Sequence, residues 1–339
     1  MSWDKPMPAN PVVAIAGATG AVGQEMLLVL EQRDFPASRV IPLASSRSAG
    51  STITFKGEEL VVEEMTEGSF AGVDIALFAA GGSISEKMRA AVVGAGAVMI
   101  DNSSAFRMEE GVPLVVPEVN PASALTHNGV IANPNCSTIQ MVVALSPLHK
   151  IAPIRRVVVS TYQAASGAGA LAMVELYNQS RQFLNDEPLV IEKFAHRIAF
   201  NCIPHIDVFL DDASTKEEWK MVAETQKILD PNIVVAANCV RVPVLRCHSE
   251  MINVEFSAPI SVEQAREAFL AAPGIILMDE PATKTYPMPG LLAGTDATYI
   301  GRLRKDPSVE YGLNFWCVAD QIRKGAALNA VQIAELLLP

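Results

Sequence analysis

The chain has 339 residues, 50% of them hydrophobic and 19% charged, with a net charge of −11. That length exceeds what one core supports, so two globular domains are expected. The acidic balance argues against nucleic acid as a partner, and with no apolar run of about 18 residues and no basic-then-apolar leader the chain is expected to be cytoplasmic and free of membrane contact.

The five cysteines (Cys136, Cys202, Cys239, Cys247, Cys317) are odd in number and scattered, with no C-x-x-C pair. They read as reduced thiols, at most one or two of them reactive. The five histidines are equally dispersed, so no metal site is expected.

Residues 1–10 read as a loose leader. Residues 12–16 form a short apolar run suited to a strand buried on both faces of a parallel sheet. It leads into Gly17-Ala18-Thr19-Gly20-Ala21-Val22-Gly23 and then a helical pattern at Val22, Met26, Leu27 and Leu30. Strand, glycine turn and helix in that order make a dinucleotide fingerprint, in which pyrophosphate rests on the helix N-terminus. A second strand, 40–44, ends about twenty residues later, where an NAD enzyme usually carries an acid for the ribose. Here the residues are Ser45-Ser46-Arg47-Ser48-Ala49-Gly50. Hydroxyls and a guanidinium suit a 2′-phosphate, favouring NADP over NAD; a solvated polar loop is the plainer reading.

Strand and helix keep alternating: strand 73–80, helix 85–93, strand 97–101. The last opens into Asn102-Ser103-Ser104-Ala105-Phe106-Arg107, placing Arg107 where open α/β sheets bind ligands or on the surface. Residues 130–132 form another short strand and lead to Ala132-Asn133-Pro134-Asn135-Cys136. Directly behind lies an apolar run, 139–148, with helical spacing. A tight turn therefore delivers Cys136 to the first turn of a helix, where unpaired N–H groups and the dipole favour thiolate. The competing reading is a buried cysteine in an ordinary helix.

Beyond this point the pattern changes. Residues 157–162 are β-branched and extended, and Gln163-Ala164-Ala165-Ser166-Gly167-Ala168-Gly169 reads as a flexible approach to a ligand. Residues 173–183 read as a helix, and 186–211 resist assignment. Residues 215–229 form a helix capped by Thr215, with Glu217 and Glu218 in its first turn. Strand-like segments follow at 234–244, 250–258, 299–304 and 311–318, with a helix at 262–271 opened by a Ser261-Val262-Glu263-Gln264 capping box. Several strands with few helices between them suggest a mostly antiparallel sheet with helices on one face. A final helix spans 322–338.

A nucleophilic cysteine needs an acid/base partner, usually histidine. His127 and His149 read as surface residues, and His196 and His205 lie in the unassigned stretch. His248, at the end of a strand beside Arg241, is the best partner, against a structural role; Cys247 beside it is a rival nucleophile without a turn-to-helix setting.

Taken together these motifs, with Glu217–Lys220 and the tail 320–332, resemble the aspartate-semialdehyde dehydrogenase family over nearly the whole chain. The resemblance implies a Rossmann-type doubly wound α/β NADP-binding domain (1–133 plus the C-terminal helix 321–339). With it goes an α+β substrate and dimerisation domain with a mostly antiparallel sheet (134–320). It implies reduction of 4-aspartyl phosphate by NADPH to L-aspartate 4-semialdehyde and phosphate, on the route to lysine, threonine and methionine, by a homodimer or homotetramer. Cys136 would form an acyl-thioester, with His248 as acid/base and Asn135 near the oxyanion. Gln163, Arg241 and Glu217 would bind substrate, and Arg107 and Lys220 the phosphate. Gly17, Thr19, Gly20, Ala21, Val22, Gly23, Ser46 and Arg47 would hold NADP, with Ser166, Gly167 and Gln321 on the nicotinamide side. A relative on the same plan, N-acetyl-glutamyl-phosphate reductase, carries Gly before its Cys where this chain has Asn135. A non-catalytic paralogue would have lost Cys136, Gln163, Arg241 or His248, all of which are present.

Overall fold

The computed structural model describes residues 5–339. It divides into two compact units, one made of the chain up to Asn135 together with Gly325–Pro339, the other of Cys136–Lys324.

The first unit alternates strands and helices: β1 (Val12–Ala16), α1 (Ala21–Gln32), β2 (Arg39–Ala44), β3 (Thr52–Phe55), β4 (Glu58–Val61), β5 (Glu63–Glu64), β6 (Ile75–Phe78), α2 (Gly82–Gly94), β7 (Val98–Asp101) and β8 (Val130–Ala132). Six strands form one parallel sheet in the order β5-β2-β1-β6-β7-β8. Their unbroken apolar sequences follow from burial on both faces. β1 pairs with β2 on one side and β6 on the other, so the winding reverses at its C-terminal end, where sheets of this kind bind ligands. β3 and β4 form a separate, largely exposed hairpin that the sequence pattern did not announce.

The C-terminal helix (Leu328–Leu336) joins this unit, burying Leu328, Val331, Ile333 and Ala334 against Val13, Ile15, Leu27 and Leu30. A π turn over Arg323–Ala327 precedes it, so the expected helix 322–338 is irregular at its start. A chain of buried amides fastens it. Asn329 Nδ2 donates to Val115 O (3.0 Å) and Asn133 Oδ1 (2.6 Å), Asn133 Nδ2 to Asn102 Oδ1 (2.9 Å), and Asn102 Nδ2 to Phe78 O (2.8 Å). The exits of β6, β7 and β8 are thereby tied to one helix.

The second unit contains α3 (Cys136–His149), β9 (Ile154–Gln163), α4 (Ala170–Leu184), α5 (Lys216–Ile228), β10 (Val234–Arg241), β11 (His248–Phe256), α6 (Val262–Ala271), β12 (Ile275–Leu277), α7 (Pro289–Leu292), β13 (Thr298–Lys305) and β14 (Gly312–Ala319). Its sheet runs β10-β9-β11-β14-β13-β12, antiparallel in the middle and parallel at both edges. One face packs on α3, α5 and α6 through Met141, Leu145, Met221, Phe269, Val157, Val159, Ile252, Val254 and Phe315. The expected caps form: Glu218 N–H donates to Thr215 Oγ1 (3.3 Å), and Gln264 N–H to Ser261 Oγ (3.1 Å).

Several expectations need correction. The leader is not loose from Lys5 onward, since Lys5 Nζ donates to Asp74 Oδ1 (3.0 Å) and Gly96 O (2.9 Å); its first four residues lie outside the described residues. His127 is buried, not on the surface, and its Nδ1 accepts the Gly129 N–H at 3.0 Å. The strand expected over 234–244 ends at Arg241, so Arg241 and His248 close one strand and open the next. Among the described residues no helix is long and apolar enough to cross a membrane.

Asn329→Leu would leave Asn133 Oδ1 and Val115 O buried without that donor. It is expected to cost about 1–3 kcal/mol in urea unfolding; an unchanged midpoint would show that the amide chain does not hold the helix.

Candidate active site

The sheet register of the second unit assembles the site. Arg241 on β10 stands opposite Gln163 on β9. Ser249 pairs with Tyr162, so His248, one residue earlier, comes level with Gln163; His248 also opposes Ala319 on β14. Directly paired residues point to the same face. Arg241, Gln163 and His248 therefore form one row, on the face that carries Val157, Val159, Ile252 and Val254 and packs on α3. All three are buried. Cys136, half-buried, is the first residue of that helix, whose first turn carries no acidic side chain to oppose a thiolate.

The stretch after β9 locks the row together. Ala164 N–H donates to His248 Nδ1 (3.1 Å), while Ala164 O accepts from Arg241 Nη1 (2.6 Å). Backbone pairing continues beyond the strands: Val242 N–H to Gln163 O (3.0 Å) and Ala165 N–H to Val244 O (2.7 Å). The 163–169 segment, expected to be flexible, is thus pinned and ends in a 3-10 turn at Ala165–Ala168. Gly167 lies so close to the row that a Cβ there would meet Arg241 Nη1 at 2.8 Å and His248 Nε2 at 3.1 Å.

Burial, and then the Arg241 charge, hold the His248 imidazole well below its ordinary pKa. Ala164 N–H donates to Nδ1, so the neutral ring carries its proton on Nε2, 3.3 Å from the Gln163 side-chain amide. The ring is neutral at pH 7. Burial also lowers the Arg241 pKa, opposed by Glu217 and by the charge of a Cys136 thiolate. Cys136 therefore lies within electrostatic reach of the guanidinium. The rival thiol is inert by comparison: burial pushes Cys247 up to about 12 and also raises Cys239 and Cys317.

Glu217, buried in the first turn of α5, accepts from Gln163 Nε2 (3.1 Å) and Lys220 Nζ (3.0 Å). Lys220 also bonds Asp207 Oδ2 at 2.6 Å, which gives a continuous chain Asp207–Lys220–Glu217–Gln163–His248. Asp207 went unnoticed in the sequence because it lies in the aperiodic 186–211 stretch, where its positive φ (70°) leaves no pattern. Burial disfavours the Lys220 charge, but Glu217 and Asp207 outweigh it and raise the pKa. Ser166 Oγ accepts from Gln321 Nε2, and Gln321 Oε1 accepts the Cys247 N–H (2.8 Å), so both side chains brace the His248 turn.

In the first unit, Arg107 donates from Nε to Asn133 O (2.9 Å) and from Nη2 to Asn102 O (2.8 Å), supporting the turn that ends in buried Asn135. At the other candidate element, Gly17 (φ 87°) sits where a Cβ would be 2.7 Å from Ala79 O. A Cβ on Gly23 would lie 2.2 Å from Gly17 O. Gly20 caps α1 without a side-chain hydrogen bond, and no acid occupies its first turn. Thr19, Ala21 and Val22 complete a tight turn of backbone amides that fits a pyrophosphate. Ser46 and Arg47 are exposed just past β2, at the same C-terminal sheet edge.

Gly167→Val would push a side chain into Arg241 and His248. We expect a drop of about 10²-fold in kcat/KM, with an unchanged circular dichroism spectrum; full activity would show that the close approach is incidental.

Comparison with known proteins gives the family. Residues 12–127 match the family model of the semialdehyde dehydrogenase NAD binding domain, and residues 145–324 that of the semialdehyde dehydrogenase dimerisation domain. The aspartate-semialdehyde dehydrogenase of Aquifex aeolicus is 55% identical over 331 residues, covering 96% of this chain and 97% of that one. The crystal structure of aspartate semialdehyde dehydrogenase II from Vibrio cholerae complexed with ASA superposes with a TM-score of 0.95. It is 48% identical and covers 97% of this chain and 98% of that one. A structure of the Candida albicans enzyme with NADP gives a TM-score of 0.75 at 26% identity, covering 97% and 98%. The chain belongs to the aspartate-semialdehyde dehydrogenase family.

Proposed function

We propose that the aspartate-semialdehyde dehydrogenase activity of this chain runs through a thioester on Cys136, with His248 as acid/base. The observation that carries this reading is the buried row Arg241–Gln163–His248 facing the helix that starts at Cys136. In the reducing direction the Cys136 thiolate attacks the acyl carbon of 4-aspartyl phosphate. A C–S bond forms, the C–O bond to phosphate breaks, and phosphate leaves with the electron pair. Bound NADPH supplies the hydride that reduces the thioester carbon. The tetrahedral oxyanion that results collapses to the aldehyde, and Cys136 departs as thiolate. Asn135 and the positive end of α3, which Cys136 opens, stabilise that oxyanion.

Arg241 clamps the substrate α-carboxylate, a role suited to a buried guanidinium with Nη1 already fixed on Ala164 O. Glu217, a buried carboxylate, meets the substrate ammonium, and Gln163 orients the reacting group. Lys220 and Arg107 contact the phosphate. The turn from Gly17 to Gly23 holds the pyrophosphate, Ser46 and Arg47 the 2′-phosphate of NADP, and Ser166, Gly167 and Gln321 the nicotinamide side. The Candida albicans relative, solved with NADP, supports that choice of cofactor.

The assembly is a homodimer, with a homotetramer as the larger alternative. The match to a dimerisation domain supports this, as do the exposed Leu171, Val174, Tyr177 and Leu184 of α4, since such apolar patches mark contact surfaces. Its reduced thiols suit the cytoplasm.

Cys136→Ala is expected to abolish phosphate-dependent NADPH formation from aspartate semialdehyde; retained turnover would remove Cys136 from the mechanism. His248→Ala should lose about 10²–10⁴-fold in kcat. Arg47→Ala should cut the NADP/NAD preference about tenfold or more, the scale of one charge-assisted hydrogen bond. Comparable kcat/KM with NAD⁺ in the unmodified protein would contradict the 2′-phosphate reading.

A further inference from the structure

One rung below Arg241, Gln163 and His248, the same sheet face carries Cys239, Thr161, Glu250 and Cys317. The registers dictate this: Cys239 opposes Thr161, Thr161 opposes Glu250, and Glu250 opposes Cys317. Glu250 is wholly buried, and neither carboxyl oxygen has a hydrogen-bond partner. Its rung holds no cation. On α3, Gln140 is also wholly buried, with both amide atoms unpartnered. Its carbonyl lies 3.9 Å from Cys317 Sγ, which sets this turn of the helix over the Glu250 rung.

The spacing is matched on both sides. Gln140 follows Cys136 by four residues, a rise of about 6 Å along a helix. Glu250 follows His248 by two, about 6.7 Å along a strand. With Gln140 level with the Glu250 rung, one helical turn back brings Cys136 level with the row above it, whose Arg241 feels the Cys136 charge. Below them the levels turn apolar, with Ala144 and Leu148 packed among Ile252, Val254 and Phe256.

We propose that Glu250 is a positioning residue: as a neutral carboxylic acid it pairs with the Gln140 amide and so fixes α3, and Cys136 with it, over His248. The acid O–H donates to the amide oxygen and the amide N–H to the acid carbonyl. Two directed bonds in a dry site set helix rotation and height, which apolar packing alone leaves free to slide. Burial pushes the Glu250 carboxyl well above its ordinary range, against the pull of Gln140. Neutrality matters to the chemistry as well, because a second anion under this row would oppose a thiolate at Cys136 and favour a charged His248. This inference rests on Cys136 and His248 being the catalytic pair.

The test compares Glu250→Leu, Gln140→Leu and Glu250→Gln. Both leucine variants should lose about 10²-fold in kcat at nearly constant KM, the scale of a small misplacement. Glu250→Gln, which still offers an amide partner, should recover most of that loss with an unaltered pH profile. It should also melt above the unmodified protein, by a margin that widens from about pH 5 to pH 8. The sign follows from linkage: the unfolded acid ionises above about 4.5, the folded acid stays protonated, and only the parent protein loses stability as pH rises. Full activity in Glu250→Leu, a Glu250→Gln as impaired as the leucine variants, or a melting difference independent of pH would each overturn the proposal. Should Glu250→Leu fail to fold, Gln140→Leu and Glu250→Gln decide the matter. A Cys136→Ala enzyme that still turned over would sink the catalytic reading and this proposal with it. An inactive Cys136→Ala beside a fully active Glu250→Leu sinks the pair alone.

Discussion

The site depends on strand register. β9 is shared between a parallel partner, β10, and an antiparallel one, β11, and only this pairing brings Gln163, Arg241 and His248 into one row. A slip of one residue in either partner would turn its side chain to the opposite face. The Ala164 peptide guards against such a slip, since its N–H holds His248 and its carbonyl holds Arg241. One backbone unit thus spaces a base and a cation.

Electrostatics then sort the titratable groups. Arg241 is buried yet balanced by the charge of Glu217, which also accepts from Lys220, itself tied to Asp207. His248 is kept neutral by burial and by the nearby guanidinium. Three of the remaining thiols are pushed toward the protonated form, whereas Cys136 starts a helix with no acid in its first turn. Burial keeps Cys239, Cys247 and Cys317 in the unreactive thiol form.

Much of this was legible in the chain. The glycine turn, the Cys136 turn and the Thr215 and Ser261 caps are local, and local chemistry reads well from sequence. The family resemblance implied the distant members of the candidate site, whereas residue patterns alone left His248 an open choice. What stayed hidden is non-local. The row exists only through pairing of strands some eighty residues apart, Asp207 enters from an aperiodic loop, and Gln140 and Glu250 meet only where α3 packs on the sheet. His127 misled because a polar residue after a 3-10 turn normally faces solvent, while here the Gly129 N–H gives it a buried partner.

The central claim is that the acyl group is carried on the Cys136 sulfur. Mixing enzyme with aspartate semialdehyde and NADP⁺ in the absence of phosphate tests it directly. The account predicts a single-turnover burst of NADPH matching the number of sites. Peptide mapping after an acid quench should find an aspartyl thioester on Cys136, and added phosphate should discharge it. Steady turnover without phosphate, or a burst with Cys136 unmodified, would contradict it.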